Sequence, residues 1–462
     1  MKYRTHAVLL AALASASAWG QDVNVYGTTL IQLWKQDTPG FKSSTFEPAT
    51  QFLGVDATKL GTDTLSLHVF GWGRTDLADQ SRIEGKSTGE LTYGYLQYRA
   101  PESNLEILAG RLVVNQGVAI EQVDGASARA DLIGGFTVSV FGGKPVLYRT
   151  IDPTTRREYD FQRDVIFGGR VAKRFSHLAE VGVSFVVDGT SAAKDLPGDN
   201  QYDFTRRQVA GDFRFTPNAA IDLSGRTVFD IADHLAPPAG TASNTSRIAE
   251  HDYNLGVRFT KSFSMNGTYI ERNFRAYYAG TNLPSLFNPY ELGRFRSQGL
   301  SATLGSATSW EGVVDLKRTD RESYGRATRF GGELRWHATG TGLQCGFGAH
   351  RVNAADVPVS GVLITSYGLS YTELRAWVMY EKDRFSTTLD GIHQNFKDRN
   401  NPNLNGKTSV YEVVGSVGYQ ATTNIKLSGD LSYGVTPLFQ RETMALLRAD
   451  YRFGLASKGG KK

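Results

Sequence analysis

From Gln208 to Arg214, Gln208, Ala210, Asp212 and Arg214 alternate with Val209, Gly211 and Phe213, and Phe215 continues the apolar row. A period of two with one apolar and one polar row is the signature of a β-strand between two different surroundings. Thr216, Pro217, Asn218 and Ala219 make a tight turn, and the alternation resumes with Ile221, Leu223, Gly225, Thr227 and Phe229 against Asp222, Ser224 and Arg226. The same hairpin unit recurs at 165–185, 330–347 and 411–433. Each arm is about ten residues, the length of a tilted strand crossing a bilayer.

The connections between strands fall into two sets. Tight turns such as 216–219, 338–341 and 421–424 alternate with longer polar stretches at 36–46, 75–88, 191–203, 231–247, 280–293, 319–327 and 396–407. A soluble β-sandwich or a fibrous secreted β protein has no reason to segregate turns in this way. A membrane barrel does, because its two rims differ: one carries short turns, the other long loops. Trp34, Trp310, Trp336, Trp377, Tyr380, Tyr419 and Tyr433 stand near strand ends, where interfacial aromatic girdles sit. The pattern therefore predicts an all-β fold, a transmembrane antiparallel β-barrel. About 21 segments alternate, and 145–150 supplies a further candidate, giving about 22 strands within a range of roughly 16 to 22. No segment is large enough for a plug domain.

Composition agrees and removes other classes. Fifty glycines, 25 Phe and 21 Tyr against four Met favour strands and turns over helical bundles. The single cysteine permits no internal disulfide, no thiolate cluster and no covalent haem attachment, and no cofactor is expected. Lys2 and Arg4 ahead of the apolar run 7–14, then Ala16, Ser17, Ala18 and Gly20, have the build of a cleaved secretory signal peptide over 1–20. Removing Lys2 and Arg4 leaves 49 basic against 46 acidic residues, so nothing points to nucleic acid.

The two ends of the remaining chain carry a resemblance. Thr443, Ala445, Leu447, Ala449, Tyr451 and Phe453 alternate with Met444, Arg448, Asp450 and Arg452, and the start reads Gln21, Asp22, Val23, Asn24, Val25, Tyr26, Gly27. Both segments resemble the closing and first strands of Gram-negative outer-membrane barrels of the porin type. The resemblance implies an outer-membrane location with lipid around the barrel. It also implies recognition of Tyr451 and Phe453 by the barrel assembly machinery; a monomer and a homotrimer are both open as the assembled state. The chain departs from the pattern by a short basic tail, 454–462, which leaves 21–453 as the barrel.

In a channel, lining charges set selectivity. On the parity opposite the apolar rows stand Arg170, Arg214, Arg226, Arg258, Arg335, Arg375 and Arg448, with Asp212, Asp222, Glu333, Glu373, Asp390, Asp430 and Asp450. Arginine outnumbers lysine 34 to 17, which suits fixed guanidinium–carboxylate ladders and a weak anion preference. The stretch 115–134 is rich in Gly, Ala and Asp, and Gln116, Gly117, Asp124, Arg129 and Asp131 are its candidates for narrowing the pore; two irregular strands and an outer loop are the alternative. Enzymatic signals are weak. The seven histidines after residue 20 are scattered, the G-x-S-x-G match at 85–89 lies at the end of a polar connection, and Pro402 spoils a calcium-like loop at 398–406. The expectation is a non-enzymatic porin, a water-filled channel for passive diffusion of small hydrophilic solutes or ions. A barrel sheath around a lumenal cytochrome partner and a substrate-specific channel are the alternatives.

Overall fold

The computed structural model describes residues 20–37, 44–78, 87–100, 104–146, 165–191, 202–231, 247–277, 293–306, 308–322, 325–355, 369–397, 404–436 and 441–456. Residues 1–19 of the expected signal peptide and 457–462 of the expected tail lie outside them, as do 398–403 of the calcium-like loop.

The strands in chain order are β1 (Gly20–Asp37), β2 (Ser44–Phe46), β3 (Pro48–Leu60), β4 (Leu65–Asp76), β5 (Ser87–Ala100), β6 (Leu105–Gln116), β7 (Ala119–Leu132) and β8 (Phe136–Pro145). There follow β9 (Val165–Phe175), β10 (Ala179–Ser191), β11 (Tyr202–Asn218), β12 (Ile221–Asp230), β13 (Ile248–Thr260), β14 (Phe263–Asn273), a one-turn helix α1 (Phe274–Tyr277) and β15 (Arg294–Ser306). The last are β16 (Trp310–Arg321), β17 (Gly325–Ala338), β18 (Leu343–Ala354), β19 (Tyr371–Lys382), β20 (Phe385–Phe396), β21 (Ser409–Thr422), β22 (Ile425–Val435) and β23 (Arg441–Ala456). Each pairs antiparallel with its sequence neighbour, and β1 pairs with β23 from Asp22↔Ala456 to Asp37↔Arg441, which closes the sheet. β2 and β3 are one stave interrupted at Glu47, since both pair with β1, so the wall has 22 staves.

One parity of each strand points outward and is apolar. Ile31, Leu33, Val181, Val183, Leu300, Val314, Leu334, Leu389, Leu431 and Leu447 are all exposed, Val314 to 66% and Leu447 to 63%. Exposed apolar surface on that scale marks a surface covered by something other than water. The opposite parity faces the lumen, shown by contacts between staves that are not neighbours: Tyr26 on β1 hydrogen bonds Tyr93 on β5, and Gln208 on β11 donates to the Ala276 carbonyl of α1. Such contacts can only cross the interior.

Four local readings change. The connection expected over 319–327 is mostly strand, because Arg321 pairs with Gly325 at the end of the β16–β17 ladder. Of the extra strand expected at 145–150, Pro145 is instead the last residue of β8 and the Val146 amide donates to the Gln122 carbonyl at 2.8 Å, while 147–150 lie outside the described residues. The stretch 115–134 is a two-residue turn and the strand β7, whose outward row Ala126, Ala128 and Ala130 is too small to register as an apolar face. The closing strand runs three residues past Phe453, with Gly454, Leu455 and Ala456 opposite Asn24, Val23 and Asp22.

Candidate functional site: an inward hairpin and a charged lumen

The β6–β7 hairpin leaves the wall. β5 pairs with β6 only from Gly94↔Arg111 to Ala100↔Leu105, and β7 pairs with β8 only from Val123↔Pro145 to Leu132↔Phe136. Between those limits, residues 112–121 pair only within the hairpin, and the Gln122 carbonyl is the first to accept from beyond it, from the Val146 amide at 2.8 Å. The departure depends on glycine. Gly110 has φ 134° and lies against the Gly94 carbonyl, while a Cβ on Gly143 would stand 2.7 Å from the Gly125 Cα. The stripped edge of β5 is not left open, since unpaired buried backbone is costly. Arg111 donates to the Leu91 carbonyl at 3.1 Å and Gln122 donates to that of Thr92. Asp124 holds Arg111 in place through two bonds of 2.7 and 2.8 Å.

The hairpin tip lands on staves four to six positions away. The Val118 amide donates to Ser184 Oγ on β10 at 3.0 Å, and Arg226 on β12 donates to the Gly117 carbonyl at 2.9 Å. Arg226 also pairs with the fully buried Glu250, which Arg272 holds from the other side at 2.7 Å, and Arg206 pairs with Glu121 of the hairpin. Gly117 sits at φ 62° with Ser184 directly against it, so no other residue fits the tip without displacement.

Beneath these polar contacts Leu112, Val114, Val118, Ala119 and Val123 bury themselves against Phe141, Ile166, Val186, Ala210, Val228 and Ala249. Burying a Leu or Val side chain is worth roughly 1.5–3 kcal/mol, so the four larger hairpin residues contribute on the order of 6–12 kcal/mol. A charged hydrogen bond contributes about 1.5–3 and a neutral one about 1. Packing therefore holds the hairpin, and the polar contacts fix where its tip lies. Val113 and Ile120 on the reverse face are more than half exposed.

Lumen charges are ordered in pairs. Arg170 lies between Glu180 at 2.9 Å and Asp212 at 2.5 Å, and Arg214 meets Asp222 at 2.8 Å. Across the barrel Arg335 joins Glu333 at 3.0 Å and Glu311 at 3.2 Å, Trp377 donates to Glu333 at 3.0 Å, and Arg375 meets Asp390 at 2.5 Å. Glu311, Glu333, Arg335, Arg375 and Trp377 line a recess of about 350 Å³ with His337 and Gln344. Arg448 pairs with Asp450 at 2.7 Å, and Gln394 donates to Glu373 at 2.8 Å. Arg258 lies near the short-turn end of β13 with no ion-pair partner among the described residues.

Of the residues expected to narrow the pore, Gln116 and Gly117 form the tip and Asp124 braces its root. Arg129 and Asp131 stand lower on β7, 3.7 Å apart, and belong to the ordinary wall. The charge pattern did not reveal Leu112, Val114, Val118, Glu121 or their partners Ser184, Arg206 and Glu250; the run of apolar residues on both parities from Leu112 to Val114 was the available signal. A second feature is aromatic. Tyr26, Phe52, Phe70 and Tyr93 line the lumen side of β1–β5 with ring centroids 5.5–6.3 Å apart and planes within 16–21° of each other. Gly54 leaves room for the Tyr26 ring to lie against the wall. At the closing strand, Tyr451 and Phe453 face outward with centroids 6.0 Å apart, and Gln51 donates to the Tyr451 hydroxyl at 2.8 Å. Ser87 of the G-x-S-x-G match bonds Thr75 at 3.0 Å within the wall.

No family model and no curated protein matches the chain. Among solved structures, a variant of the ferric enterobactin receptor PfeA of Pseudomonas aeruginosa superposes with a TM-score of 0.56 at 10% identity, covering 94% of this chain and 81% of the receptor. OccK8 (OprE) of the same organism gives 0.45 at 10% identity over 95% and 99% of the two chains, and OccK11 (OpdR) gives 0.40 at 11% over 94% and 96%. At these identities the likeness is one of architecture. The chain shares with them the architecture of a closed antiparallel β-barrel, here a wall of 22 staves, and among the described residues no separate plug domain occurs.

Proposed function

We propose that the protein is an outer-membrane channel for passive diffusion of small hydrophilic solutes and ions, narrowed by the β6–β7 hairpin. The observation that carries this reading is the hairpin itself, anchored at Ser184 and Arg226 and leaving a charged lumen wall facing it. A wide barrel needs narrowing to discriminate by size, and an anchored, glycine-hinged hairpin supplies it. It also occupies space that a lumenal cytochrome would need, which favours the solute channel over a protein-filled sheath. The charges suit weak selectivity: most lumen arginines are neutralised by carboxylates. On the β9–β13 arc near the short-turn rim Arg170, Arg174, Arg214 and Arg258 face Glu180, Asp212 and Asp222, a local excess of one positive charge on that arc that suits a slight anion preference.

A substrate-selective channel is the second reading, favoured by the aromatic surface of Tyr26, Phe52, Phe70 and Tyr93, on which the apolar face of a sugar or aromatic solute can stack. Proteoliposome swelling with uncharged sugars of increasing size tests both. Rates that fall smoothly with size support the diffusion channel, a rate well above the size trend for one solute supports the selective one, and no swelling with any solute refutes both.

A further inference from the structure

On the outer face, at the long-loop ends of adjacent staves, the apolar belt gives way to arginine. Above Leu300 on β15 the same parity continues as Arg296 and Arg294; above Leu316 on β16 as Arg318; above Phe330 on β17 as Arg326; above Phe347 on β18 as Arg351. Their carboxylate partners are few. Glu271 is shared by Arg294 and Arg296, the latter at 3.1 Å, and Asp320 by Arg318 at 3.0 Å and Arg326 at 2.7 Å. Among the described residues Arg351 donates to the neutral Asn353, at 3.1 Å, and has no carboxylate partner. Among the described residues five guanidiniums thus face three carboxylates, the third being Glu322, which accepts the Arg294 backbone amide at 2.9 Å, whereas the lumen arginines largely pair off.

We infer that this outward arginine row is a binding site for the phosphate groups of a phosphorylated lipid in the leaflet on the long-loop side. The inference rests on the membrane-barrel reading and not on the lumen's being an open channel. An outward arginine costs about 2–4 kcal/mol at the bilayer midplane and about 0–1 near the interface, and all five stand beyond the last large apolar residue of their stave. Each shared carboxylate holds two guanidiniums in fixed places and leaves donors on both unused. A guanidinium fork matches phosphate oxygens two at a time. Acyl chains of the same lipid would lie along Leu300, Leu316 and Phe330, so one molecule satisfies both surfaces.

The test uses the full barrel in detergent, titrated with a lipid A bearing two phosphates while thermal unfolding and native mass spectra are recorded. Wild-type protein is expected to retain lipid adducts and unfold at a temperature several degrees higher. Arg296→Gln/Arg318→Gln/Arg326→Gln weakens lipid binding at least tenfold, while Lys382→Gln, an outward basic residue at the opposite rim, leaves it unchanged. Dephosphorylated lipid A binds the wild type as poorly as phosphorylated lipid binds the triple variant. Should the triple variant fail to fold, Arg326→Gln alone is expected to weaken binding at least threefold. Wild-type affinity in the folded variant, equal binding of dephosphorylated lipid, or an equal shift from inorganic phosphate alone overturns the proposal. None of these readouts depends on conductance, so a closed lumen leaves them intact.

Discussion

If packing holds the β6–β7 hairpin in the lumen, breaking the packing must open the channel, and breaking one polar contact must not. Leu112→Asp with Val114→Asp places two carboxylates in the pocket formed with Ile166, Val186 and Val228, which excludes water. Losing two buried apolar side chains removes roughly 3–6 kcal/mol, and burying unpaired carboxylates adds several more, enough to exceed the roughly 4–7 kcal/mol with which Arg226, Arg206 and Ser184 anchor the tip. Arg226→Ala removes only the bond to Gly117 and one of the two partners of Glu250, which Arg272 still holds. The hairpin then stays. Geometry gives the size of the effect. Staves about 4.8 Å apart and tilted about 40° close into a wall of backbone radius about 22 Å, or a free radius of about 16 Å inside the side chains. A hairpin about 10 Å thick that projects about 16 Å blocks roughly a fifth of that area, so its release should raise single-channel conductance by about 20–30%. The assay is conductance in planar bilayers, with heat-modifiable electrophoretic mobility confirming a folded barrel. An unchanged conductance in the folded double-Asp variant, or an increase in Arg226→Ala equal to it, refutes the energetic ranking.

Other outcomes follow from the same geometry. Gly125→Val forces a side chain into the backbone of Gly142 and Gly143; overpacking of this kind costs about 1–3 kcal/mol or more, and the folded fraction seen by electrophoretic mobility should fall. Arg258→Gln removes a lumen arginine that has no ion-pair partner among the described residues and should shift the reversal potential in a salt gradient toward cation preference, while Arg214→Gln with Asp222→Asn should leave it nearly unchanged because the pair is already neutral. Phe70→Ala with Tyr93→Ala dismantles the centre of the aromatic surface and should weaken channel block by an aromatic glycoside several-fold, read as the concentration that halves the current.

The barrel was legible because two-residue alternation is a direct imprint of a wall with unlike faces. At Val181, Val183 and Phe185 the outward row could be read residue by residue, and at Arg170 and Asp212 so could the inward one. The reading failed where that rule is suspended. β7 was obscured because its outward positions are Ala126, Ala128 and Ala130, and because its upper part is no longer wall at all. The hairpin's apolar contacts join β6 and β7 to β8 through β13, and a pattern along one chain segment carries no information about which distant stave faces it. The same limit applies to Arg226, whose role at the Gly117 carbonyl spans 109 positions in sequence. The outward arginines were visible as letters, but their face became clear only when Leu300, Leu316 and Phe330 fixed the parity of each stave.

The most direct test of the central claim is the single-channel current of the purified wild-type protein in a planar bilayer, recorded in symmetric salt and then across a gradient. The account predicts stable, discrete conductance steps with a reversal potential near zero, displaced slightly toward anion preference. A correctly folded barrel that inserts and passes no current would contradict it, since the space beside the hairpin would then be closed.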